Sequence, residues 1–267
     1  MTTACRRQAP TYLECFAAQI GALGVAGQRR LQRASVLVVG AGGLGTAVGL
    51  TLANAGVGTL VLVDPQRVAT DNFNRYAFAR PLDVGRPKVD VLAAFFEGRP
   101  YLRVVPIFSR IESMQALRAA RDVQFVVSAS NTVSSRLTVA DLAERFNIAH
   151  VAASIADGRD TLGGFVTAWL PERRELACPA CYLTPGARVR RQESLLAPIV
   201  STVGALAACM VVQLLARMPR TDVLASGNCV TIGLAPYTVE SLRVLKRHDC
   251  PVCADVRASV KGRRHQR

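Results

Sequence analysis

Residues Val36–Gly45, V-L-V-V-G-A-G-G-L-G, constrain the fold of this chain more than any other stretch. Val36 to Val39 is a continuous apolar run rich in β-branched residues, the composition of a strand covered on both faces. Gly40, Gly42, Gly43 and Gly45 follow, and Thr46–Ala55 has the composition of a helix packed against a sheet. A strand, a glycine-rich turn and a helix in that order bring backbone N–H groups close to a phosphate and point a helix N-terminus at its negative charge. Asp64 ends the next strand-like run, Thr59–Val63, about 20 residues on, where a carboxylate accepts hydrogen bonds from a ribose. Glycines in such a turn also serve simply to let a helix approach a strand. The acid at this distance is the second signal, and it favours a nucleotide phosphate site.

The rest of the chain extends this unit. Residues 11–34 read as a short helix, a turn at Gly24–Gly27 and a second short helix. Beyond Asp64, Arg103–Phe108 and Gln124–Ser128 read as strands, Ser113–Ala120 as a helix, the stretch from Thr132 through Asn147 as another, and Ala149–Ser154 as a further strand. This alternation predicts an α/β, Rossmann-like, mostly parallel sheet with helices on both faces. From Gly163 the pattern changes. Gly163–Pro171 reads as one strand of a more antiparallel region, Leu195–Met218 as an apolar core helix broken near Gly204, and Cys229–Leu234 with Thr238–Lys246 as a strand pair. The expected organisation is a helical segment at 1–34, a nucleotide-binding domain at 35–255 and a basic tail at 256–267; the arginine-rich stretch Pro185–Glu193 is expected to be a mobile loop.

Half of the 267 residues are apolar, enough for a sizeable core in one large α/β domain or two small ones. No run approaches about 18 uninterrupted apolar residues, and the N-terminus lacks the apolar stretch of a secretion signal, so a soluble, cytoplasmic protein without a membrane span is expected. The formal net charge is +14, but five of the cations, Arg257, Lys261, Arg263, Arg264 and Arg267, fall after the last acid. No aromatic residues are interleaved with them for base stacking, which argues against nucleic acid; a positive field also suits ATP, pyrophosphate or an acidic partner.

Two further groups of residues carry chemistry. Pro65–Arg80, just beyond the second strand, contains D-N-F-N-R-Y at Asp71–Tyr76, and Gly85-Arg86-Pro87-Lys88 opens a helix. Lys88 near a helix start opposes the dipole unless an anion sits there. Arg75 or Lys88 alone reads as surface charge; together, beside a glycine turn, they read as phosphate ligands. Of eight cysteines, Cys178, Cys181, Cys250 and Cys253 form two C-P-x-C units. C-x-x-C presents two thiolates from one tight turn, and zinc takes four. A redox pair is the other reading, but both units carry the same Pro and neither opens a βαβ helix, which favours structural zinc. The 68 residues between the units mean that such a site would clamp distant segments together, with His248 a bystander.

The chain closely resembles the ThiF/MoeB branch of the ubiquitin-activating-enzyme superfamily. The matching motifs are G-x-x-G-Q-x-x-L at Gly24–Leu31, G-A-G-G-L-G at Gly40–Gly45, Asp64, N-F-N-R at Asn72–Arg75, G-R-P-K at Gly85–Lys88, Arg136, A-P-I-V at Ala197–Val200 and the two C-P-x-C units, in family order over nearly the whole chain. The resemblance implies ATP-dependent adenylation of the C-terminal carboxylate of a small ubiquitin-like sulfur-carrier protein or peptide, structural Zn2+, and a homodimer or a heterodimer with a related subunit. It implies that Gly40, Gly42, Gly43 and Gly45 hold phosphates, Asp64 the ribose, and Asn72, Arg75 and Lys88 the triphosphate, with Arg75 and Lys88 catalytic.

Three positions depart from the family pattern. The family's D-x-x-D-N motif, which supplies an aspartate for Mg2+, is here Ser128-Ala-Ser-Asn131-Thr132, so Asn131 would hold the ion through an uncharged carbonyl and more weakly. The family's N-terminal R-Q pair, whose arginine reaches ATP across the dimer, aligns with Phe16-Ala17. No cysteine lies between Tyr182 and Ala208, so an enzyme thioester in the crossover loop is not expected, and Cys209, inside the apolar helix, is expected to be packing. The alternative is therefore a catalytically impaired partner subunit that binds nucleotide or a carrier protein. An NAD-dependent oxidoreductase shares the glycine turn but predicts neither N-F-N-R nor the paired cysteine units.

Overall fold

The computed structural model describes residues 9–76, 78–158, 161–173, 175–183, 195–218 and 224–254. The basic tail expected at 256–267 and the loop expected at 185–193 lie outside the described residues. Three elements, α1 (Tyr12–Cys15), α2 (Ile20–Arg33) and β1 (Ser35–Val39), lead to the glycine turn. Within α2 the backbone leaves helical geometry at Gly24, φ 67° and ψ 160°, where the turn was expected. Next come α3 (Gly43–Ala55), β2 (Thr59–Val63), α4 (Lys88–Phe95), β3 (Arg103–Ile107), α5 (Met114–Ala120), β4 (Phe125–Ser128), α6 (Val133–Phe146), β5 (Ala149–Gly158), β6 (Thr161–Trp169), α7 (Ala197–Ala216), β7 (Cys229–Leu234) and β8 (Tyr237–Leu242).

The strands form one eight-stranded sheet in the order β3-β2-β1-β4-β5-β6-β7-β8. From β3 to β5 neighbours are parallel; β6, β7 and β8 continue the sheet antiparallel. β1 and β2 are buried after their first residue and β4 throughout, which is why their sequences are unbroken apolar runs rather than alternating ones. The α3 and α7 helices cover one face, and right-handed crossovers put α5 and α6 on the other. Thr132 caps α6 by accepting from the Ser135 N–H, and Asn147 ends it in the left-handed conformation, φ 55°.

The structure corrects two expectations for α7. The helix runs unbroken through Gly204, and that glycine serves close packing: a Cβ there would lie 2.5 Å from the Ala47 Cβ of α3. Cys209 is exposed on the outer side of α7 rather than packed. Among the described residues α7 is the one helix long and apolar enough to cross a membrane by length and composition. Its buried side, including Ile199, Val203, Ala207 and Val211, belongs to the core, and Arg30 of α2 donates to the Ala216 carbonyl at its end.

Candidate nucleotide cleft and metal centre

The order of the sheet reverses between β1 and β4, and a crevice opens there at the carboxyl ends of the strands, where doubly wound sheets bind ligands. The crevice is a cleft of about 530 Å3, within the range of small-molecule sites. Gly40 turns the chain out of β1 with φ +100°, and a Cβ on it would lie 2.8 Å from the Ala129 carbonyl of the neighbouring loop. Gly42 is the N-cap of α3 and carries no side chain to satisfy the first-turn N–H groups, which stay open to water or a ligand. Gly40, Gly42 and Gly43 line the cleft. Gly45 does not: a Cβ on it would lie 1.7 Å from the Gly40 carbonyl, so it lets α3 seat against the end of β1.

Asp64, at the end of β2, is 5% exposed and lines the same cleft. One carboxylate oxygen accepts from the Ala41 N–H at 2.7 Å, the other from the Gln66 N–H at 2.6 Å. Burial raises its pKa, against those two bonds and the nearby Lys88 charge. Lys88 begins α4, is 7% exposed, and donates from Nζ to the Gln66 side-chain carbonyl at 2.7 Å. Its ammonium lies 5.6 Å over the Tyr76 ring, and burial pulls its pKa below the ordinary lysine value while Asp64 pulls it back up. Tyr76 donates to the Ala41 carbonyl at 2.6 Å, joining the glycine turn to the loop that carries Arg75. The Arg75 stem passes close to Gly43, and its Nη1 donates to the Asp71 carbonyl at 2.6 Å and to Asn74 Oδ1 at 2.7 Å.

Asn131 also lines the cleft, on its exposed lip, but Asn72 does not. Asn72 is buried; its Oδ1 accepts from the Ala69 N–H and its Nδ2 donates to Asp71, so it shapes the turn that presents Arg75. Gln66, Arg110, Glu112 and Arg136 are among the lining residues that the sequence did not point to as ligands. Arg136 is buried and donates to the Ala153 carbonyl at 2.7 Å. Only Arg136 had a signal in the sequence, as a matched motif residue without a role. Gln66 has none, because nothing in a sequence tells which neutral side chain will meet Lys88.

The second cluster lies at the antiparallel end of the molecule. Pro179–Cys181 is a 3-10 turn, and the Ala254 N–H closes a matching turn on the Cys250 carbonyl. These turns bring the Sγ atoms of Cys178, Cys181, Cys250 and Cys253 within 4.8 Å of one another, with Cys178–Cys250 at 3.7 Å and Cys181–Cys253 at 3.4 Å. Tetrahedral thiolates at a Zn–S distance of about 2.3 Å lie about 3.8 Å apart, so the donor set fits such an ion. The Arg247 N–H points at Cys181 Sγ, and the Cys178 thiol favours the thiolate of Cys253. His248 is outside the group, as expected.

Comparison with known proteins places this architecture. An "adenylyltransferase and sulfurtransferase uba4" from Aspergillus clavatus is 30% identical over 247 residues, covering 87% of this chain and 49% of that protein, so the chain spans about half the length of that relative. The molybdopterin-synthase adenylyltransferase of Salmonella typhimurium is 28% identical over 236 residues, covering 85% of this chain and 90% of that protein. Among solved structures, MccB of E. coli superimposes with a TM-score of 0.76 at 20% identity over 92% of this chain and 75% of that one, a likeness of fold. The family model described as "ThiF family" matches residues 16–252, from the first helices to the second cysteine pair, and the chain belongs to that family.

Proposed function

We propose that the chain binds ATP in this cleft and adenylates the C-terminal carboxylate of a small ubiquitin-like sulfur-carrier protein or peptide, without forming an enzyme thioester. The observation that carries this reading is the convergence of the glycine turn, Asp64, Arg75 and Lys88 on one cleft. In this reading the N–H groups at Gly42 and Gly43 hold phosphate oxygens, Asp64 takes the ribose, and Arg75 and Lys88 take the triphosphate. The substrate carboxylate attacks the α-phosphorus, the bond from that phosphorus to its bridging oxygen breaks, and pyrophosphate leaves with the electron pair. Negative charge grows on oxygens facing fixed cations and N–H dipoles, which is where preorganised groups lower the barrier. The names of the relatives support the substrate class, and the protein is read as a cytoplasmic homodimer or a heterodimer with a related subunit. Residues 35–255 would form the adenylation domain, with structural zinc in the four-cysteine cluster.

The residues at Asn131 do not make a magnesium site. Magnesium is held by one or two carboxylates together with phosphates and water. Asn131 and its neighbours Ser130 and Thr132 offer neutral oxygens only, and each Asp64 oxygen already accepts one backbone N–H bond. This same observation favours a second reading, a partner subunit that binds nucleotide or carrier without turnover.

ATP–pyrophosphate exchange separates the two. Adenylation predicts exchange that requires a carrier with a free C-terminal carboxylate and disappears when that carboxylate is amidated. Lys88→Ala should lower the exchange rate by about 10^2 to 10^3. Nucleotide binding without exchange, in the presence of every candidate carrier, would leave the second reading.

A further inference from the structure

We infer that the cleft takes its nucleotide as the metal-free polyanion, with the chain's own cations neutralising the phosphates in place of a divalent ion. The inference rests on the nucleotide reading of the cleft above.

Charge is distributed unevenly among the cleft's side chains. Among the described residues four cations line it: Arg75, Lys88, Arg110 and Arg136. Among the described residues two carboxylates line it with them, Asp64 and Glu112. Asp64 has both oxygens engaged by backbone N–H groups, and Glu112 is exposed and accepts from the Thr138 hydroxyl at 3.3 Å. Among the described residues the one group of three or more clustered metal-ligating side chains is the four-cysteine cluster, at the other end of the sheet. Among the described residues no such group forms around the cleft.

The close partners of the two central cations are neutral. Lys88 Nζ is held by an amide oxygen of Gln66, and Arg75 by a backbone carbonyl and the Asn74 amide oxygen. The Asp71 carboxylate stands 3.9 Å from Arg75 and is largely in solvent, where water screens it. Neutral oxygens orient a cation without cancelling its field; the Asp64 carboxylate offsets part of the Lys88 charge, and the rest of the positive charge remains for a ligand. Lys88 is buried, and a buried cation interacts more strongly with an incoming anion than an exposed one. A phosphate chain stripped of metal brings more negative charge to these cations than its magnesium complex does. A hard divalent ion at the Ser130–Thr132 edge, in contrast, would meet neutral oxygens there, and the carboxylates among the described lining residues are Asp64, already engaged by backbone N–H groups, and the exposed Glu112.

Calorimetric titration of the full chain with ATP, once in EDTA and once in millimolar Mg2+, tests this. Free ATP should bind at least as tightly as the magnesium complex, and up to about tenfold tighter. Asn131→Asp lies on the exposed lip, where folding is undisturbed. It should weaken binding in EDTA by about tenfold, through like-charge repulsion, and Mg2+ should restore it. Wild-type binding that is measurably weaker in EDTA than in Mg2+ overturns the inference and leaves the nucleotide reading standing. Absence of ATP binding in both conditions overturns the nucleotide reading itself.

Discussion

The two ends of the sheet are held together by different physics. In the parallel part β1, β2 and β4 are buried almost end to end, and their apolar side chains are covered by helices on both faces. In the antiparallel part β7 is half-buried and every residue of β8 is exposed, including Tyr237 and Val239. Apolar burial stabilises the first by roughly 25 cal/mol per Å2 of surface removed from water; the outer strands of the second remove little. Specific cross-links replace it there. Buried Asn228 donates toward the Ala168 and Ala177 carbonyls and accepts from the Val244 N–H, and the cysteine cluster joins Cys178–Cys181 to Cys250–Cys253. The proposed function follows the same division, since the parallel strands present their loops to the cleft and the cysteines are assigned a structural site.

The strongest way to break this contrast is to remove the cluster. Cys250→Ser with Cys253→Ser should bring zinc content to background and lower stability by about 5 kcal/mol, a fraction of the free energy that structural zinc contributes in small domains. Hydrogen exchange should accelerate in β7, β8 and the segment ending at Ala254, while β1 and β4 keep their protection. Equal loss of protection in both parts would show that the two ends unfold as one unit.

A smaller effect is expected in the parallel part. Gly45→Ala places a Cβ within 1.7 Å of the Gly40 carbonyl, so α3 must shift away from β1. Overpacking of this kind costs about 3 kcal/mol, read as a lower urea midpoint with zinc content unchanged. A variant with wild-type stability would mean that the seam between α3 and β1 yields more than the buried core around it.

The same contrast explains what could be read from the sequence. β2 falls on Thr59–Val63 as expected and β7 on Cys229–Leu234, because apolar runs flanked by Gly or Asn leave few alternatives. The cysteine turns come together as their repeated C-P-x-C pattern implied across 68 residues. Within the cleft, residues on the glycine turn and at strand ends were legible, since backbone geometry places them. The division of labour between side chains was not. Asn72 and Gly45 sit inside matched motifs yet shape the walls, while Gln66, outside any motif, holds Lys88. Motif spacing reports which loops meet; the partner of each side chain is decided by burial and by neighbours distant in sequence. The expected break in α7 at Gly204 failed for the same reason, because propensity alone does not show that the glycine faces Ala47.

The smallest effect tests the join between the two parts. His150 lies in β5, which pairs parallel with β4 opposite Val126 and antiparallel with β6 opposite Trp169. Its Nε2 is 2.9 Å from the Ser128 hydroxyl, and its Nδ1 is buried without a hydrogen-bond partner. Burial, with a further push from the Arg136 guanidinium, lowers its pKa from 6.5 to about 3. The folded protein therefore keeps a neutral imidazole where the unfolded chain takes up a proton. Stability from this group is fully present above pH 6.5 and is lost as the pH falls toward about 3, because the unfolded state binds more protons over that interval. One proton corresponds to a slope of at most about 1.4 kcal/mol per pH unit. Urea midpoints measured between neutral pH and about pH 5 should fall with that added slope in the wild type, and His150→Leu, which preserves bulk and cannot charge, should flatten it. Identical slopes in the two proteins would place the acid sensitivity elsewhere, and the imidazole between the parallel and antiparallel strands would then be a packing element with no hold on the protonation of the fold.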